Sequence, residues 1–133
     1  VQTPSGGTIV IDGGPRNDTM ADYLRAQGIK KVDYIILSHA HDDHYSGLTE
    51  VMTFLPNDCK KRVLDPGYNN DPIGYQDFRD AAGCQYSATR AGQTLALDTK
   101  MEISVIGADS NNFVVFNINT QTAVMRTQST GSG

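Results

Sequence analysis

The sequence predicts a layered α/β domain, and three observations carry that prediction. Up to about residue 85, short apolar segments alternate with helix-length amphipathic ones; beyond it the chain is a succession of short β-rich segments; and one continuous apolar run, Tyr34-Ile35-Ile36-Leu37, has the character of a strand buried on both faces. At 133 residues and 38% hydrophobic composition, the chain suits one compact domain with a modest core.

Each element follows from local chemistry. Val1-Gln2-Thr3, the turn formers Pro4-Ser5-Gly6-Gly7 and Thr8-Ile9-Val10-Ile11 read as the end of one strand, a turn and a second strand, so the chain begins inside a hairpin. After Asp12-Gly13-Gly14, Asn17 or Asp18 is placed to cap a helix of about ten residues that carries Met20, Tyr23, Leu24 and Gln27 and that Gly28 closes. The run Tyr34 to Leu37, bounded by Asp33 and by Ser38-His39, is the next strand. Leu48, Val51, Met52 and Leu55 then recur at offsets 0, 3, 4 and 7, the core stripe of a helix stopped by Pro56. Arg62-Val63-Leu64 is a short strand, residues 65 to 72 are a loop rich in turn formers, and Gly74 to Ala82 is a helix ended by Gly83. From Gln85 onward the segments Tyr86 to Thr89, Thr94 to Leu97, Met101 to Ile106, Phe113 to Ile118 and Ala123 to Met125 form a meander of strands. The domain is expected over residues 1 to 127, incomplete at both ends, with a flexible tail at 128 to 133.

Composition narrows the partners. Lys+Arg total 11 against 15 Asp+Glu, a formal charge of -4, so no basic footprint exists for gripping a phosphate backbone by bulk attraction. No apolar run approaches the roughly 20 residues of a membrane-spanning helix, and the start does not resemble a signal peptide, so no membrane contact is expected from this segment. Cys59 and Cys84 match no metal or redox spacing and are expected to be unpaired, in buried or half-buried structural positions.

The chemistry is concentrated in His39-Ala40-His41-Asp42-Asp43-His44, which holds every histidine of the chain where a buried strand runs out into a loop. Imidazole and carboxylate are the ligands of Zn²⁺ and similar cations, and a strand end is a rigid platform for aiming them. In extended backbone His39 and His41 project to the same side and share one ion, while Asp43 and His44, after a bend, hold a second. Asp42 points away from both and is read as a polar loop residue.

The motif His-x-His-x-Asp-His after an apolar strand, filled by His39, His41, Asp43 and His44, resembles the metallo-β-lactamase superfamily. Residues 3 to 14, 32 to 38 and Ser46-Gly47-Leu48 look like the hydrolase domain of the ComEC/Rec2-type competence proteins and their stand-alone relatives, with a weaker likeness at Ala91-Gly92-Gln93-Thr94-Leu95 and Asn111-Asn112-Phe113-Val114-Val115. The resemblance implies an αββα sandwich, represented mainly by its N-terminal half, with two zinc ions, or manganese in their place, at one edge of the paired sheets. It implies that His39 and His41 bind the first ion, that Asp43 and His44 bind the second, and that Asp12 braces the metal loop by hydrogen bonding. It also implies that a metal-bound hydroxide attacks the substrate, with Asp43 as the catalytic carboxylate that orients it.

The chain departs from that pattern beyond His44. No later histidine exists, and Ala123-Val124-Met125-Arg126-Thr127 stands where a Gly-Asp pair usually follows a strand. Asp65 and Asp109 are the nearest later carboxylates, and both are read as turn residues. Three accounts fit the gap: a fragment of a longer domain, a chain that has lost its metal, or a site completed by another chain. The activity of the chain alone depends on which of them holds. The leading expectation is a metal-dependent hydrolase acting on phosphodiester bonds in a small molecule or nucleic acid. The alternatives are a lactonase or β-lactamase-type acyl hydrolase, and a non-catalytic module with an incomplete metal site. The residues leave the compartment open; the ComEC-like resemblance, where it holds, implies an extracytoplasmic or secreted one. Tyr68, Asn69, Asn70 and Tyr75 lie in a loop read as solvated, with a substrate groove as the functional alternative.

Overall fold

A computed structural model of the chain describes residues 1–3, 6–67, 73–90, 92–96, 102–108, 114–118 and 123–127. Tyr68, Asn69, Asn70, Asp109, Asn111, Asn112, Phe113 and the tail at 128–133 lie outside the described residues. The elements run β1 (Ile9–Ile11), α1 (Thr19–Ala26), β2 (Tyr34–Ile36), α2 (Asp42–Tyr45), α3 (Leu48–Val51), β3 (Val63–Asp65), α4 (Gly74–Ala82), β4 (Tyr86–Ala88), β5 (Thr94–Ala96), β6 (Glu102–Ala108), β7 (Val114–Ile118) and β8 (Ala123–Thr127).

The first sheet has the order β1-β2-β3-β4 with every neighbour parallel. Parallel neighbours require a crossover between them, and the helices fill that role. The registers align Val10, Ile35, Val63 and Tyr86 in one row across the sheet. Leu24 of α1, Leu48 and Val51 of α3, and Tyr75 and Phe78 of α4 join the core on that face. Ile35, Leu48 and Val63 are wholly buried, and each such side chain contributes about 1.5–3 kcal/mol before entropy is counted. The second sheet is an antiparallel meander, β5-β6-β7-β8, with a register shift between Val105 and Gly107.

Several expectations change. The strand at Tyr86 is the fourth parallel strand of the first sheet, not the first of the meander, because α4 carries the chain back to lie beside β3. The helix expected from Leu48 to Leu55 lasts only to Val51. It tightens into a 3₁₀ turn at Met52–Phe54, and Leu55 is already extended, as the residue before Pro56 must be. In α1 the buried residues are Ala21 and Leu24, whereas Tyr23 is exposed; the N-cap residue is Asp18, whose side chain makes no cap bond, and Asn17 Oδ1 accepts from the Thr19 N–H at 3.1 Å. The opening hairpin forms an antiparallel bridge between Gln2 and Thr8.

Cys59 and Cys84 are not free. They form a disulfide across a separation of 25 residues, and both are exposed. Cys59 precedes β3 and Cys84 precedes β4, so the parallel pairing of those strands brings the two approaches together. Arg62 N–H donates to the Gln85 carbonyl at 2.9 Å and Gln85 Nε2 to the Pro56 carbonyl at 2.8 Å beside the bridge.

At the carboxyl ends of the strands, two features hold the loops. Gly13 and Gly47 press backbone on backbone: a Cβ on Gly47 would lie 1.9 Å from the Gly13 carbonyl oxygen, and Gly13 N–H donates to the His44 carbonyl at 2.8 Å. Asp65, expected in a loop, is the last residue of β3 and is buried. Its carboxylate accepts from the hydroxyls of Tyr75 and, at 2.7 Å, Tyr86, and from the Gly67 N–H at 2.7 Å, an Asx-type turn. Burial outweighs these donors and raises its pKa above the ordinary carboxylate value.

Reduction of the disulfide, or its replacement by Cys59→Ala with Cys84→Ala, is expected to cost about 3 kcal/mol of stability in denaturant unfolding, since closure of a loop of this length is worth roughly that much. Gly47→Ala is expected to destabilise by about 1–3 kcal/mol or more through backbone overlap. Gly28→Ala, which meets open space, should show only the left-handed backbone penalty of about 1–2 kcal/mol. For Asp65 the raised folded-state pKa means that its favourable contribution is complete below about pH 4, the ordinary carboxylate value, and is lost as pH rises through the folded value. Wild-type stability measured against Asp65→Asn should therefore fall from pH 4 toward neutrality; a difference that does not change with pH would refute the shift.

Candidate metal centre

The centre is built where β1 and β2 end side by side. Ile11 pairs with Ile36, and Asp12 N–H continues that ladder to the Ile36 carbonyl at 2.9 Å. The next residues of the two strands, Asp12 and Ser38-His39, are therefore neighbours although 26 positions apart. Asp12 adopts φ 56, a conformation rare for a residue with a side chain, which Asp tolerates better than most.

That conformation leaves the Asp12 carboxylate with three donors. Oδ1 accepts from the Ser38 N–H at 2.7 Å; Oδ2 accepts from the Ser38 hydroxyl at 2.6 Å and from His44 Nδ1 at 2.8 Å. A carboxylate only accepts, so a neutral His44 ring in this arrangement carries its proton on Nδ1, with the Nε2 lone pair open. Ser38 spends its one proton on Asp12, so its oxygen accepts from His39 Nδ1 at 2.9 Å. His39, 2% exposed, has the same tautomer, again with Nε2 open. Burial, then the neighbouring His44 and His41, push the His39 pKa below the ordinary imidazole value, favouring the neutral ring that binds metal.

The rings gather around His39. Its centroid lies 4.7 Å from that of His41, edge to face, and 3.9 Å from that of His44. The backbone between His39 and His41 is bent, not extended as expected, with His41 N–H on the His39 carbonyl at 3.0 Å. His41 itself is extended and starts α2, whose first turn contains Asp42 and Asp43. Asp43 is exposed, its Oδ1 3.6 Å from His44 Nε2. Asp42 takes the Ser46 hydroxyl, in keeping with a structural part.

The donor set suits a borderline cation: neutral imidazoles with Nε2 free and a carboxylate at the rim. Among the described residues, no three or more His, Cys, Asp or Glu side chains are grouped so as to hold a metal ion together. Asp65 is held by its two tyrosines on the neighbouring strand. The sequence reasoning missed Ser38 and Tyr45. Tyr45 is buried immediately after His44, its ring 6.5 Å from Tyr75 and 6.4 Å from Phe78, and it anchors α2 to α4. The position of Ser38 at a strand end directly before the first histidine was the available signal.

Comparison with known proteins bears on the whole arrangement. The sequence model of the metallo-β-lactamase superfamily matches residues 1–58. An anaerobic nitric oxide reductase flavorubredoxin of Enterobacter sp. (strain 638) is 39% identical over 46 residues, 31% of this chain and 10% of the relative. Metallo-β-lactamase SMB-1, solved with 2-mercaptoethanesulfonate, superposes with a TM-score of 0.60 at 18% identity, over 87% of this chain and 49% of that one. A diphosphatase from the PhnP family gives 0.56 at 17% identity, over 87% and 46%. The chain thus spans about half the length of these solved structures and a tenth of the curated relative. At such identities the structural likeness speaks for the α/β sandwich fold, and the sequence match speaks for the segment that carries the histidines. The chain therefore has a metallo-β-lactamase-like α/β sandwich fold over most of its length, and its residues 1–58 match the sequence model of that superfamily.

Proposed function

We propose that the chain is the histidine-bearing part of a metal-dependent hydrolase whose substrate is a phosphodiester. The observation that carries the reading is the hydrogen-bonded chain through Asp12, which leaves Nε2 of both His39 and His44 open beside His41. In this reading His39 and His41 hold one ion and Asp43 and His44 the other, with zinc or manganese as the metal. When bound, the metal supplies Lewis acidity, lowering the pKa of water and offsetting charge that builds on the phosphoryl oxygens. Asp12 keeps two of the imidazoles in register, and Asp43, exposed at the rim, accepts a hydrogen bond from water and orients it. Positive charge for an anionic substrate has to come from the metal, because the chain itself is acidic.

The phosphodiester assignment draws on the ComEC-type resemblance of residues 1 to 56 and on the likeness to a diphosphatase. The exposed Cys59–Cys84 disulfide fits an oxidising, extracytoplasmic setting. The likeness to SMB-1 supports acyl hydrolysis as the second reading.

The purified chain is expected to retain at least about one equivalent of zinc or manganese, two where its shell is completed. It should turn over bis(p-nitrophenyl) phosphate in preference to a chromogenic β-lactam, with activity lost on chelation and reduced about 100-fold or more by His39→Ala or Asp43→Ala. Lactam turnover without phosphodiester turnover would select the acyl reading. Failure to bind metal would sink both, and activity that survives both substitutions would sink the residue assignment.

A further inference from the structure

Ser38 is buried at the end of β2, next to His39, and makes three hydrogen bonds that a single hydroxymethyl and its backbone N–H can make only in one proton arrangement. The backbone N–H and the hydroxyl both donate to Asp12, one to each carboxylate oxygen. With its proton so used, the Ser38 oxygen offers only lone pairs to His39, and His39 must present N–H at Nδ1. Asp12 Oδ2 also accepts a hydrogen bond from His44 Nδ1–H. The result is one continuous chain from His39 through Ser38 and Asp12 to His44, with both imidazoles protonated at the inner nitrogen and open at the outer one.

Asp12 alone accounts for His44 but does not reach His39. The only described polar side chain that bonds the inner nitrogen of His39 is Ser38. His39 is the most buried of the three histidines, so its inner nitrogen depends on Ser38 for a hydrogen-bond partner.

We propose that Ser38 is a positioning residue that fixes the tautomer of His39 and joins it, through Asp12, to His44, so that both halves of the cation site are set together. Its effect on metal binding rests on the metal-site reading above; its effect on the tautomer does not.

The variant Ser38→Ala removes the hydroxyl while keeping the N–H donated to Asp12 Oδ1. Side-chain ¹⁵N NMR of the metal-free chain at about pH 8, where imidazole is neutral, reads each tautomer directly. The wild type should show His39 and His44 both protonated at Nδ1. Ser38→Ala should release His39 to a mixture with Nε2–H while His44 keeps its form, and zinc affinity, measured by competition with a chelating dye, should fall about 10–100-fold. Ser38→Thr, which restores a hydroxyl, should recover the His39 tautomer and most of the affinity. Matching unfolding curves for Ser38→Ala and wild type would separate this effect from a loss of fold. If the Ala variant has lost its fold, the His39 tautomer in the wild type and the Thr variant decides. Finding Nε2–H at His39 in the wild type, or an unchanged tautomer in a folded Ser38→Ala, would overturn the proposal. A wild-type chain that binds no zinc would overturn the metal reading instead, and the tautomer comparison would still decide the role of Ser38.

Discussion

The Asp12 carboxylate is the constraint on which the arrangement of the three histidines depends. It takes three hydrogen bonds from the end of β2 and from α2, and it does so from a backbone conformation that few side-chain-bearing residues adopt. Strain of this kind, on the order of 1–3 kcal/mol, persists only where the surroundings over-determine it. Here they do. The parallel register of Ile11 with Ile36 sets Asp12 against Ser38, and the next residue, Gly13, is clamped to the His44 carbonyl by its N–H. Relaxing φ at Asp12 would break side-chain and main-chain bonds at once.

A second support comes from the far side of α2. His44 is followed by Tyr45, whose ring is buried among Tyr75 and Phe78 and fills the space over Gly74 that any side chain there would need. Tyr75 in turn donates to Asp65 at the end of β3. A short helix of four residues has little stability of its own, because nucleation costs more than so few hydrogen bonds return. Its position is therefore imposed from both flanks, by Asp12 on His44 and by α4 on Tyr45. Burial of Asp65 is unfavourable for its charged form, yet the tyrosine hydroxyls and the Gly67 N–H satisfy it, and what they secure is the placement of α4.

How much of this was legible in the sequence varies with range. The histidine run stands out because three histidines and two aspartates within six residues have few structural explanations, and α4 is bounded correctly by Gly74 and Gly83 because the glycine that ends a helix acts locally. The strand at Tyr86 was misplaced because its sheet membership is decided by a crossover, which leaves no mark on its own few residues. Cys59 and Cys84 were read as separate for the same reason: their proximity arises from the pairing of β3 with β4, and no spacing encodes it. Ser38 was overlooked because one serine at a strand end is commonplace. Only the register that delivers Asp12 to it reveals its part. The expected extended path from His39 to His41 failed where the His41 N–H found the His39 carbonyl, a local turn that brings the rings edge to face.

The four candidate donors come from one stretch of six residues, and this shapes what the site has to do. Donors that approach from one direction cannot surround a tetrahedral ion, so affinity from this segment depends on how little each ligand must reorganise when the ion arrives. A neutral imidazole free to rotate or change tautomer loses part of its binding free energy to ordering. His39 is spared that cost by burial and by Ser38, and His44 is spared it by Asp12. Asp43, exposed and 3.6 Å from His44, is open to solvent. The site is therefore rigid at its base and open at its rim, a division that suits a centre in which inner ligands hold the ion while the outer carboxylate meets water and substrate.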